Sequence, residues 1–257
     1  MRPLPERWLS ADACMPAGVR AFMTTREGGT SAGPWGVAGG EAGGMNVGEH
    51  CGDDPGAVRH NRQLLDRHLP ASPRWLAQVH GAAVHDADTA AGGAVPPRAD
   101  AVVSARAGTV CAVMVADCMP VLLASADGSA VCAAHAGWRG LAGGVLEAGV
   151  AAIRMRAPRA DVVAWLGAAI GPTAFEVGPE VRDLFRDLDP RAASAFRAGA
   201  PGKWLADLYA LGRFRLHAAG VDRVHGGGLC TYSDAARFYS YRRDGVTGRM
   251  AACIWIE

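Results

Sequence analysis

The chain has 257 residues, 50% of them hydrophobic and 20% charged, and its 26 Lys plus Arg against 25 Asp plus Glu leave a formal net charge of +1. That balance gives no electrostatic reason to expect nucleic acid or membrane as the main partner, and an anionic ligand has to be met by a local cluster of arginines. A chain of this length buries roughly three quarters of its unfolded surface without disulfides, and seven cysteines behind an N-terminus without a signal-like apolar core read as reduced thiols in the cytoplasm.

Phe22 to Thr25 reads as the end of an early strand and runs into Gly28–Gly48, a segment with nine glycines. So long a loop is expected to be functional or mobile. Asp54 followed by Pro55 predicts an N-cap and a first helical turn, with the helix running to about Leu69. Trp75–Gly81 and the apolar run Val110–Val115 read as strands. The stretch from Thr109 to Ala126 is interrupted by Asp117 and Pro120 and makes a poor membrane span. Val121–Ala124 and Ala130–Ala133 are joined by the turn dipeptide Asp127–Gly128. A helix is predicted over Leu141–Met155, a strand over Val162–Ile170, and helices over Gly178–Leu188 and Asp207–Ala219, the last ended by Gly220. A hairpin closes the chain: Phe238–Tyr241, a turn at Asp244–Gly245, then Arg249–Trp255. With no repeat or break in composition, the expectation is one α/β (α+β) domain over 1–257. Its mixed sheet is flanked by helices, because hairpins exclude an all-parallel arrangement. A monomer is expected.

Ionisable groups inside apolar runs carry the chemistry. His80 ends the Trp75–Gly81 strand, and Cys118 stands where Pro120 is expected to stop ladder pairing. His135 precedes Ala136–Gly137–Trp138–Arg139–Gly140, a turn that leads into a helix whose N-terminus can hold an anion. Two imidazoles and a thiolate suit Zn²⁺, and three protein ligands leave a fourth position open. Asp117 is a candidate acid or base, or the carboxylate that orients a histidine. The same residues also fit a cysteine hydrolase, with Cys118 as nucleophile, His135 or His80 as base and Asp117 as orienter. Cys230 as a fourth ligand would instead close a structural zinc site. A multinuclear copper centre draws on many histidines, and this chain has eight with no H-x-H pair. Cys111, Cys132 and Cys253 sit in apolar strands and read as small hydrophobes.

Ordered motifs narrow these readings. They are Thr24–Gly29, Met45–Gly48, Gln78–Gly81, Ala116–Pro120, His135–Gly140, Ile170–Pro172, Cys230–Ser233 and Arg237–Gly245. From about residue 20 onward the set resembles the YfiH laccase-domain family, also called polyphenol oxidase, purine nucleoside phosphorylase or peptidoglycan editing factor. The resemblance implies a layered α/β fold related to toxin deamidases. It makes His80, Cys118 and His135 zinc ligands, with copper as the second candidate metal. It implies phosphorolysis of adenosine, inosine and S-methyl-5′-thioadenosine with phosphate as co-substrate, and adenosine deamination as a second activity. An amidase editing peptidoglycan precursors through Cys118 is the alternative, and a copper polyphenol oxidase ranks behind both. Arg26, Arg62, Arg139 and Arg243 lie in or beside the motifs and are candidate phosphate clamps, because a guanidinium fork matches phosphate oxygens. Asn46 is a candidate substrate donor from the Gly-rich loop.

Overall fold

This computed structural model describes residues 2–89 and 95–257. Its strands are β1 (Leu9–Ser10), β2 (Val19–Met23), β3 (Glu27–Ser31), β4 (Val84–Asp86), β5 (Ala101–Ser104), β6 (Cys111–Val115) and β7 (Met119–Ser125). They continue with β8 (Val131–Ala136), β9 (Val162–Leu166), β10 (Glu176–Val177), β11 (Phe196–Ala198), β12 (Trp204–Ala206), β13 (Arg223–Gly226) and β14 (Met250–Ile256). The helices are α1 (Pro55–Asp66), α2 (Trp138–Ala142), α3 (Val145–Arg156), α4 (Pro179–Leu188), α5 (Leu208–Ala218) and α6 (Tyr241–Asp244).

Two sheets dominate. One is antiparallel in the order β1-β2-β14-β6. The other, in the order β13-β9-β7-β8-β5-β4, is mixed: parallel at β13–β9 and β4–β5, antiparallel between. A small third sheet joins β10, β12 and β11. The pleat sends alternate side chains to opposite faces, and that decides how the sheets pack. Leu122 and Ala124 of β7 share a core with Ala21, Val113 and Ile254 of the four-stranded sheet. Val121 and Leu123 of the same strand join Val150 of α3 and Leu211 of α5. The outer face of the four-stranded sheet, with Phe22, Ala112 and Trp255, closes on Leu65 of α1 and on Met45 and Val47. The layers are therefore helix, sheet, sheet, helices. The expected mixed sheet is the six-stranded one, with helices on one face and the four-stranded sheet on the other. No helix among the described residues is long and apolar enough to cross a membrane.

Several local expectations are corrected. The 75–81 segment is not a strand. It lies beside β6 through the Gln78 side chain, whose amide donates to the Met114 carbonyl (2.8 Å) and accepts its N–H (2.7 Å). A side chain thus replaces the ladder bonds. Pro120 does not stop pairing but sits inside β7 opposite His135, and its carbonyl accepts the Gly167 N–H at 2.9 Å. The helix expected over 141–155 is two helices, α2 and α3, parted at Gly143–Gly144. The closing hairpin does not form. Ser240 caps the short α6 by accepting the Arg243 N–H, and β14 pairs with β2 and β6. The Gly28–Gly48 segment is anchored: Ser31 and Gly44 bridge, and the buried Asn61 side chain bonds Ser31, Gly44 and Asn46.

Candidate metal centre and its cavity

Strand β6 belongs to one large sheet and β7 to the other, so residues 116–118 carry the chain between layers. Cys118 sits at the end of that crossing, immediately before β7, and His135 lies on the neighbouring β8. His80 comes from the irregular segment beside β6. Among the described residues two non-glycine residues take positive φ, His80 at 60° and Asp117 at 94°, conformations that need surrounding support. Both have it. Asp100 accepts the N–H groups of Val79 (3.2 Å), His80 (2.9 Å) and Gly81 (2.7 Å). Asp117 accepts Thr231 Oγ1 and the Arg242 N–H, each at 2.6 Å, while its carbonyl takes the Ile170 N–H.

These bonds correct the reading of Asp117 as the orienter of a histidine, while Asp117 still lines the cavity beside Cys118. Its carboxylate ties the crossing to the 231–242 region and orients no histidine. The orienting carboxylate is Asp100, which sequence reasoning missed: its Oδ1 lies 2.9 Å from His135 Nδ1, and both groups are buried. With Nδ1 so engaged, His135 presents Nε2 to the site.

The ligating atoms of His80, Cys118 and His135 all lie within 4.8 Å of one another. Two bonds of roughly 2.0–2.3 Å meeting at a tetrahedral angle span about 3.3–3.8 Å, so the three atoms would draw together by up to about an ångström to hold one Zn²⁺. The two imidazole rings stand edge to face, centroids 4.9 Å apart. Gly137 leaves room for them: a Cβ there would stand 2.7 Å from Cys118 Sγ and 3.3 Å from His80 Cδ2. Burial pushes the Cys118 thiol up, but the charge and hydrogen bond of His135, with help from His80, outweigh it and bring it down to about 6. For His135, burial acts to lower the imidazole, while the Cys118 charge and the Asp100 bond raise it to about 9. The two shifts run in opposite directions and each has the other group's charge among its causes, so the Cys118–His135 pair favours its charged form. Cys230 is not in the cluster. Its sulfur accepts from Gly171 N and from Ser233, so the group of three stays open for a further ligand.

The cluster opens into a cavity of about 880 Å³ lined by four arginines (Arg62, Arg139, Arg242 and Arg249) and two carboxylates (Glu49 and Asp117). The local arginine cluster demanded by a near-neutral chain is therefore here, though its membership differs from the expectation. Arg62 and Arg139 line the cavity, stacked on Trp75 at 4.6 Å and on Trp138 at 4.3 Å. Arg26, Asn46 and Arg243 do not line it. Arg26 is buried, with Nε and Nη2 on the Gly36 carbonyl and Nη1 on that of Ala235, and so staples the Gly-rich segment. Asn46 is buried and braces the backbone of Gly48 and Arg249. Arg243 is spent on Asp244 and on the carbonyls of Thr231, Tyr232 and Phe238. Arg242 and Arg249 were missed, Arg249 because it precedes a strand without belonging to any motif.

The family model described as "Multi-copper polyphenol oxidoreductase laccase" matches residues 20–257. The chain belongs to this YfiH laccase-domain family. Among YfiH-family relatives, a purine nucleoside phosphorylase of Pseudomonas aeruginosa is 50% identical over 97% of this chain and 98% of its own. The purine nucleoside phosphorylase YfiH of Escherichia coli is 47% identical over 94% of this chain and 95% of its own. A Neisseria meningitidis family member of known structure is 46% identical and superposes with a TM-score of 0.88, covering 98% of this chain and 100% of that one. The layered YfiH fold and its mixed α and β content agree with such neighbours.

Proposed function

We propose that the protein is a zinc-dependent purine nucleoside phosphorylase acting on adenosine, inosine and S-methyl-5′-thioadenosine, with adenosine deamination as a second activity. One observation carries the reading: the open His80–Cys118–His135 group lies in a cavity rich in arginines and aromatic rings, and relatives bear the phosphorylase name. In phosphorolysis a phosphate oxygen bonds to the sugar C1′ as the glycosidic C–N bond breaks. The electron pair leaves with the base, which takes up a proton. Arginines hold the phosphate, since guanidinium forks pair with its oxygens. The Trp138 ring, half-buried at the cavity, offers a face for a purine to stack on. A Zn²⁺ held by the three ligands supplies a Lewis acid beside the substrate. Copper ranks behind zinc, because a multicopper centre needs more donors than this one group provides.

A cysteine hydrolase acting on peptidoglycan precursors is the second reading. It is favoured by the Asp100–His135–Cys118 chain, which lines up an orienter, a base and a thiol at about 6. Metal content decides between the two. Protein purified without added metal is compared with Cys118→Ala, and phosphorolysis of adenosine is assayed on both. About one zinc per chain, lost with activity in the variant, supports the phosphorylase. Metal-free protein with a reactive thiol and no nucleoside turnover promotes the hydrolase.

A further inference from the structure

We propose that His50, Arg62 and Arg249 form the subsite that binds inorganic phosphate; this deepens, and rests on, the phosphorylase reading. Three distant segments meet on this wall of the cavity. The Val47 N–H donates to the Arg249 carbonyl at 3.2 Å, Arg62 Nε to the Val47 carbonyl at 2.9 Å, and the Arg249 N–H to Asn46 Oδ1 at 2.8 Å. The 46–50 segment is thereby pinned between α1 and the start of β14, and the three basic side chains all line the cavity.

Their donors are unevenly used. Arg249 gives Nη1 to the carbonyls of Thr247 and Gly248, each at 3.0 Å. Its Nε and Nη2 have no protein acceptor, and it joins no ion pair, among the described residues. Arg62 Nη1 reaches Glu49 at 2.7 Å, and its Nη2 has no acceptor among the described residues. Glu49 is the carboxylate bonded to Arg62, and its side chain is 61% exposed, so it offsets little of the charge. Asp66 is the other carboxylate that acts on Arg62. Partial burial and the charges of Arg249 and Arg62 hold the His50 imidazole below its usual range. The wall is crowded with positive charge, and a bound dianion relieves that repulsion while meeting free N–H groups. Arg139 and Arg242 also line the cavity, over Trp138 and Phe175, as Arg62 lies over Trp75 and Arg249 over Tyr241. What sets Arg62 and Arg249 apart is the main-chain bonding that ties both to the 46–50 segment.

The test is steady-state phosphorolysis of inosine by metal-loaded enzyme, with phosphate and inosine varied separately. Arg249→Gln and His50→Ala are each expected to raise the KM for phosphate about tenfold and to leave that for inosine within about twofold. Arg249→Lys is expected to recover part of the loss. An unchanged phosphate KM in both variants, or a rise confined to Arg242→Gln, overturns the assignment. If the wild-type enzyme consumes no nucleoside, the phosphorylase reading falls, and calorimetry with inorganic phosphate then judges the subsite alone. Binding by wild type that is lost in Arg249→Gln, with circular dichroism unchanged, supports it. No binding by wild type overturns it.

Discussion

Asp100 Oδ1 lies 2.9 Å from His135 Nδ1, and the same carboxylate accepts the N–H groups of Val79, His80 and Gly81. One buried side chain thus sets the orientation of two metal-capable residues that stand 55 positions apart.

Asp100→Asn keeps the size of the side chain but removes its charge. The expected result is a 10–100-fold weaker hold on zinc, read by competition with a chromogenic chelator. Asp100→Ala additionally orphans backbone donors, at about 1–3 kcal/mol each, and is expected to lower the thermal midpoint as well. Unchanged zinc affinity in Asp100→Asn would sink the positioning role.

The Cys118–His135 pair makes a pH prediction whose sign needs both groups. Cys118 is depressed from 9.0 to about 6, which alone would add stability as pH rises. His135 is raised from 6.5 to about 9, which alone would remove stability as pH rises. Between about 6.5 and 9 the pair holds one proton whether folded or unfolded, so the two slopes cancel. The thermal midpoint of metal-free protein is expected to show no slope from this pair in that window. Alkylation of Cys118 by iodoacetamide is expected to rise through about pH 6, and a rise near 9 would contradict the pairing.

Gly137→Ala tests the space around the ligands. Gly137 has φ −68° and ψ 161°, which alanine adopts freely, so the backbone is not strained. The new Cβ at 2.7 Å from Cys118 Sγ has to displace that sulfur. A folded protein with at least about tenfold weaker zinc binding is expected. Full metal occupancy measured by elemental analysis at limiting zinc would count against this geometry.

Arg26→Met asks whether that arginine is a staple or a substrate group. The variant leaves the Gly36 and Ala235 carbonyls without their donor, a loss of about 2–4 kcal/mol in all. The thermal midpoint is expected to fall by roughly 5–15 °C with the phosphate KM unchanged. A normal midpoint with a raised KM would return Arg26 to the cavity.

Trp138→Ala removes an aromatic face beside the metal group. Stacking of a base on a ring is worth about 1–3 kcal/mol, so the KM for inosine is expected to rise roughly tenfold or more, with zinc content retained. An unchanged KM would move the base elsewhere in the cavity.

The sequence exposed His80, Cys118 and His135 as candidates because each interrupts or ends an apolar run beside glycine or proline, a signal that survives without coordinates. Asp100 carries no such mark. Its partners lie about 20 residues before it and 35 after it, and no spacing rule links them. Arg26 and Arg243 illustrate a different blindness: an arginine that feeds main-chain carbonyls looks the same in sequence as one that clamps phosphate. The lost hairpin shows a third. An aromatic run followed by Asp244–Gly245 is ordinary hairpin chemistry, yet Ser240 uses its hydroxyl to cap a helical turn instead.

Strand β14 has a consequence for kinetics. It is central in its sheet, between β2 and β6, and Arg249 just before it meets Asn46 across 203 positions of chain. Contacts so distant in sequence are slow to close. Neither the sheet nor the arginine wall exists until that closure is made. On dilution from denaturant, helical ellipticity should therefore recover first, and turnover should lag behind it.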